Sequence, residues 1–269
     1  MRAAAEGSIV CWERNSMAVP RWLFFYLWIA PHALQAVLAI VMIRRRLLRQ
    51  FPAFFAYTVY EVVQFLVLFT MDQLDSVSQI QWGTTEIIGR TGSMILRFVV
   101  VHEIFDNVFQ SYPALKAFGG VVFQWATVVL MIIAVTVVGY SSGTDLNRFT
   151  VVYTILDRAV SIVQCGLLVL LVLLARFLSF PWTSYAFGIA LGLGFFASVD
   201  LGIAALRAQY GLAPAAEITD AISMATYHCC VLFWVVTLLR PERVIGRMGS
   251  PHSQELEHWN SVLQRLLQQ

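Results

Sequence analysis

Charge is the scarcest commodity in this sequence. Asp, Glu, Lys and Arg make up 13% of its 269 residues, half of the roughly 25% that ordinary globular domains carry. Lysine is nearly missing, since Lys116 is the only one. A net charge of +2 leaves no basic face for nucleic acid, and the scarcity of charge excludes a highly charged disordered chain. Four cysteines are too few for a disulfide framework. Cys165, Cys229 and Cys230 fall in apolar runs, where cysteine reads as a small apolar side chain, and Cys11 stands alone near the start. Met1 to Ser16 lacks the apolar core of a cleavable signal peptide, so the first apolar run is expected to act as an uncleaved anchor, with Met17 a second candidate start.

Apolar residues are what the chain has in excess: 59% of it is hydrophobic and the mean hydropathy is +0.71. A soluble fold cannot hide that much apolar surface. Seven runs are long enough to cross a hydrocarbon core of about 30 Å at about 1.5 Å per helical residue. They cover residues 22–43, 51–71, 80–109, 115–138, 149–178, 182–206 and 218–239. The connectors are short and rich in turn residues, as in Ser111-Tyr-Pro and Ser141-Ser-Gly-Thr-Asp. Backbone groups in lipid must be paired within a segment, and the runs are helix-long rather than strand-long. The expected fold is therefore all-α, a seven-transmembrane-helix bundle over residues 22–239, with a short N-terminal segment 1–21 and a tail 240–269.

Orientation follows from the cations, which short loops keep on the cytoplasmic side. Arg44, Arg45, Arg46 and Arg49 occupy the first connector, Arg240, Arg243, Arg247 and Arg265 the tail, and Lys116 and Arg176 fall on that same side. The other side holds half as many: Arg2, Arg14, Arg21, Arg148 and Arg207. The N-terminus is expected outside, the C-terminus inside, and the chain in a cytoplasmic (inner) membrane with lipid as its first partner.

Ionisable side chains inside a bilayer are costly and normally face the bundle interior. Four runs carry theirs in stripes at helical spacing: Tyr57, Tyr60, Glu61 and Gln64; Glu86, Arg90, Ser93 and Arg97; Tyr153, Asp157, Ser161 and Gln164; and Asp220, Ser223, Tyr227 and Cys230. Glu86, Asp157 and Asp200 each lie about 10 Å below the outer end of their run, with Arg90 and Arg158 nearby. Glu86, Arg90, Arg97, Asp157, Arg158 and Asp200 thus form a candidate charge cluster, either a network fixing helix register or a pocket for a small polar or ionic ligand. Deeper, His32, Glu61 and His228 share a mid-membrane level, a set that suits a proton relay, Zn or Fe, or a haem between two imidazoles. No cofactor is expected ahead of hydrogen-bonded interior histidines. Pro31 is expected to free a backbone carbonyl for His32. The run Val101-His-Glu-Ile-Phe-Asp matches half of a zinc-protease helix, but Asp106 stands where the second histidine belongs. His102, Glu103 and Asp106 are expected at the inner interface, with His102 a further candidate, beside Asp106 at i+4, for the proton-relay or metal role.

Diagnostic residues of known seven-helix families are missing. The last run has no lysine for a retinal Schiff base, Asp106-Asn-Val replaces the Asp-Arg-Tyr of G-protein-coupled receptors, and His228 is a single histidine where zinc-hydrolase-like receptors carry two. Phe51-Pro52 and Phe180-Pro181 open the second and sixth runs alike, yet the flanks barely agree, and proline at a first helical turn is favoured anyway. Gly188 and Gly192 give the sixth run a small-residue face for close helix packing, within the chain or in a homodimer. In the tail, Leu256, Trp259, Leu263 and Leu266 recur at helical spacing, an amphipathic helix over 253–269 that lies on the inner leaflet or docks on a protein partner. No catalytic constellation is complete, which argues against an enzyme. The leading expectation is a sensor or small-ligand-binding membrane protein relaying through its tail. A proton- or ion-coupled solute transporter and a haem- or metal-binding redox protein are the alternatives.

Overall fold

The computed structural model of the chain describes residues 20–74, 76–109, 113–140, 145–177, 185–210 and 216–240, with Ser261 and Arg265 of the tail. Among the described residues it holds seven long helices and no strand: α1 Arg21–Arg44, α2 Pro52–Asp72, α3 Gln79–Phe109, α4 Pro113–Tyr140, α5 Asp145–Phe177, α6 Tyr185–Tyr210 and α7 Ala216–Leu239. Each apolar run of the sequence becomes one helix. The N-terminal segment and the tail positions Leu256, Trp259, Leu263 and Leu266 lie outside the described residues.

Five helices, α1, α2, α5, α6 and α7, are long and apolar enough to cross a membrane, the pattern of a multi-pass membrane protein. α3 falls short because Glu86, Arg90, Arg97, His102, Glu103 and Asp106 interrupt it, and in α4 the apolar stretch among the described residues is Gly119–Leu130. Trp22, Trp125 and Ile88 are 71%, 66% and 65% exposed. Such exposure disfavours an aqueous setting and suits lipid, where large apolar side chains need no burial.

The helices α1, α2, α3, α5, α6 and α7 form a ring closed by α1 against α7. α4 packs outside it on α3 and α5, while α3 also reaches α6. This places the polar α3 among four neighbours, which is why it can carry charge. Two close approaches lock the ring. On α6, a Cβ at Gly188 would collide with Thr237 and one at Gly192 with the Trp234 indole, so the small-residue face expected to bring helices together is filled from within the chain by α7. Trp234 also donates to the Ile189 carbonyl at 3.3 Å and sits edge-on to Phe54 at 5.2 Å, in a core of fully buried Phe51, Phe54, Tyr57 and Trp234. On α3, a Cβ at Gly92 would strike the Tyr60 hydroxyl, which donates instead to the Gly89 carbonyl at 3.0 Å.

Helix ends follow local chemistry. Ser78 and Gln81 cap α3 reciprocally, the Gln81 side chain accepting from the Ser78 amide at 3.0 Å and the Ser78 hydroxyl from the Gln81 amide at 3.3 Å, a capping box. After α1, Arg46 takes the left-handed conformation with φ 57° and leads into a 3-10 turn at Leu47–Arg49. Pro52 then opens α2, where its missing N–H costs nothing. The next orphan donors, Ala53 and Phe54 N–H, are taken by the Glu103 carboxylate at 2.7 and 2.9 Å. An anion at a helix N-terminus is favoured by the unpaired amides and by the dipole. Glu103→Ala is expected to destabilise the bundle by about 1–2 kcal/mol, with Glu103→Gln costing less; thermal unfolding of both variants in one detergent checks the order.

Candidate functional site: a polar network across the bundle

The stripes read from helical spacing converge. From α1, the His32 ring Nδ1 lies 3.4 Å from Gln35 Oε1, and Gln35, fully buried, donates through Nε2 to the Tyr227 hydroxyl on α7. Tyr227 and Tyr57 of α2 are hydrogen-bonding neighbours. One turn along α2, Glu61 accepts from the Ser93 hydroxyl of α3. One turn along α3 from Ser93, Arg97 is 8% exposed and donates through Nη2 to Asp157 Oδ1 of α5 at 3.2 Å. Its guanidinium also lies 5.7 Å from the centre of the Phe196 ring on α6. Every helix of the ring thus contributes to one interior patch. In lipid, hydrogen bonds between helices average about 0.6 kcal/mol, so the chain of contacts serves to fix helix rotation more than to add bulk stability.

The patch is not saturated. Arg97 Nε, Gln164 Nε2 and Gln64 Oε1 are buried without a hydrogen-bond partner, and Gln164 is 1% exposed. Buried polar atoms are normally paired. The three sit on α3, α5 and α2.

The expected charge cluster divides. Glu86 and Arg90 pair along α3 at 2.6 Å. Arg97 pairs with Asp157. Asp200 on α6 is an electrostatic neighbour of Tyr153, together with Asp157, Arg90 and Arg97. Arg158, one residue beyond Asp157 and so turned by about 100°, is exposed and off the network.

The His32, Glu61 and His228 set does not assemble. His32 packs on Phe65 at 4.4 Å and contacts Gln35, a side chain, in place of the backbone carbonyl expected beside Pro31; α1 runs unbroken through that proline. His228 Nε2 lies 3.2 Å from the Tyr26 hydroxyl, and its Nδ1 is buried and unpartnered. Glu61 engages Ser93. Among the described residues no group of three or more His, Cys, Asp or Glu comes together to hold a metal ion. His102 is exposed, edge-on to Phe123 at 4.9 Å, while its neighbour Glu103 caps α2.

Spacing alone missed Gln35, Phe196 and Tyr26. Gln35 was detectable, because His32-x-x-Gln35 puts two polar groups on one face of an otherwise apolar helix. Phe196 and Tyr26 carry no such signal.

At the far end of α7 the last carbonyls are held from outside. Arg45 donates through Nη1 to Arg240 O at 3.1 Å and through Nη2 to Leu239 O at 2.6 Å, and the Tyr185 hydroxyl donates to Arg240 O at 2.9 Å. Cations at a helix C-terminus complement its dipole. The arginine-rich first connector and the start of the tail therefore sit together at one end of the bundle.

No family model, no curated protein and no solved structure matches the chain.

Proposed function

We propose that the chain is a membrane sensor of a small polar ligand, with the Arg97-centred network as its receiving element and α7 as the output to the tail. The observation that carries this reading is the double engagement of α7. Tyr227 of α7 belongs to the interior network, and about 20 Å further along the helix its final carbonyls are gripped by Arg45 and Tyr185 just before the tail begins. A guest that bonds to Arg97 Nε would draw the guanidinium away from Phe196, whose ring packs on Tyr227 at 5.4 Å, and so shift α7 against that clamp.

The same clamp supports seven spans with the N-terminus outside and the C-terminus inside a cytoplasmic membrane. It gathers Arg44 to Arg49 and Arg240 at one end, as the retention of positive charge on the cytoplasmic side requires. A haem or metal reading has less support, because His32 and His228 are engaged by separate partners.

The test uses the purified full chain in lipid nanodiscs and in proteoliposomes, with a panel of small neutral and ionic solutes. The expected result is a solute that raises the thermal midpoint in a concentration-dependent way, loses that effect in Arg97→Gln, and does not cross the vesicle membrane. A solute taken up into vesicles, with uptake abolished in Asp157→Asn, would replace the sensor by a carrier.

A further inference from the structure

Glu61 lies nine residues after Pro52 and eleven before Asp72 in α2, at the middle of the helix. Its carboxylate accepts the Ser93 hydroxyl and, among the described residues, makes no ion pair. Each nearby guanidinium already has a carboxylate of its own. Arg97 is bonded to Asp157 at 3.2 Å and Arg90 to Glu86 at 2.6 Å. The other titratable groups facing Glu61 are Tyr57 and Tyr60 on its own helix and Tyr227 on α7, and all three are neutral phenols. His32, the ionisable group of α1 at this level, is taken up with Gln35 and Phe65. One turn further along α2, Gln64 Oε1 is a buried acceptor with no donor.

Glu61 is therefore left without a cation of its own: Arg90 and Arg97 are both committed, and Asp200 adds a further carboxylate to the same neighbourhood. An ionised carboxylate in the centre of a bilayer, held by a single hydroxyl, is far more costly than the neutral acid. We propose that Glu61 is a proton-binding site of the bundle, holding its proton as a carboxylic acid in the arrangement seen here. The proton is exchanged with water: Glu61 binds it while Arg97 remains with Asp157, and releases it when Arg97 turns toward Glu61. Ligand occupancy at Arg97 and proton occupancy at Glu61 are then linked, so that each alters the affinity for the other. The site itself does not depend on the sensor reading, because the charge balance is the same in a carrier.

The experiment is infrared spectroscopy of the full chain in nanodiscs, in H2O and in D2O at neutral pH. The expected spectrum has a carboxylic-acid carbonyl band that moves on deuteration, disappears in Glu61→Gln and changes frequency in Ser93→Ala, which removes the hydrogen bond donor. The band persists in Glu103→Gln, whose carboxylate caps α2. A spectrum without that band, or one left unchanged by Glu61→Gln, overturns the proposal. Should Glu61→Gln not fold, uniform carbonyl-13C labelling of glutamate in the native chain replaces it. A band that shifts with labelled glutamate and again in Ser93→Ala upholds the assignment, and a band that shifts only with labelled aspartate overturns it. Thermal stabilisation by solutes is read separately, so failure of the sensor reading leaves this result standing.

Discussion

Replacing Arg97 by leucine is expected to destabilise the bundle by about 3–5 kcal/mol, the largest effect of any single polar substitution. The guanidinium is nearly fully buried, bonded to Asp157 and stacked toward Phe196. Its removal leaves the Asp157 carboxylate inside the bundle without a cation, which is where the cost arises. Asp157→Asn should also destabilise, for the reciprocal reason. The double variant Arg97→Leu/Asp157→Asn is expected to cost clearly less than the sum of the two, because neither charge is then left alone. Reversible unfolding of the four proteins in mixed micelles gives the cycle. Additive effects would show that the two side chains do not act on one another.

Gly192→Leu is expected to weaken the packing of α6 on α7 by up to about 3 kcal/mol. The first added carbon already overlaps the Trp234 indole, and Trp234 is itself fully buried against Phe54, so moving the indole disturbs its packing in the core. Gly202→Leu, on the same helix, is the control. A Cβ there meets nothing within 4 Å, and the substitution should be near neutral. The contrast separates loss of close approach from a general intolerance of leucine in α6. Equal thermal midpoints for the two variants would mean that α6 and α7 do not meet through this face.

The helices were legible because their signal is length. A run of twenty apolar residues has few alternatives in lipid, and the ends of α1 and α7 fall within two residues of the sequence boundaries. The stripes were legible too, since spacing fixes which residues share a face: Glu61 with Tyr57, Arg97 with Ser93, Gln164 with Asp157. What spacing does not give is the rotation and vertical offset of one helix against another. Equal counting depth drew His32, Glu61 and His228 into one set, but His228 turns toward Tyr26 near the start of α1, while His32 faces Phe65. Adjacent numbering drew Arg158 in with Asp157, and the helical turn carried it to the exposed face. Glu103 illustrates the same limit: its partners are backbone amides fifty residues earlier in the chain, and no local pattern announces a carboxylate that caps another helix. The failed zinc motif around it left the residue without a role until the fold supplied one.

The proposed relay through α7 rests on contacts between the first and last helices, above all Gln35 with Tyr227, which are 192 residues apart in sequence. The most direct measurement is chemical crosslinking in native membranes. Gln35→Cys and Tyr227→Cys are combined in a background with Cys11, Cys165, Cys229 and Cys230 replaced by alanine, and treated with a short bifunctional thiol reagent. Rapid crosslinking within the chain, absent when Gln35→Cys is exchanged for the outward-facing Ile40→Cys, is the expected result. A 35–227 pair that fails to crosslink, or reacts no faster than the 40–227 pair, would contradict the interior network and with it the proposed path from Arg97 to the tail.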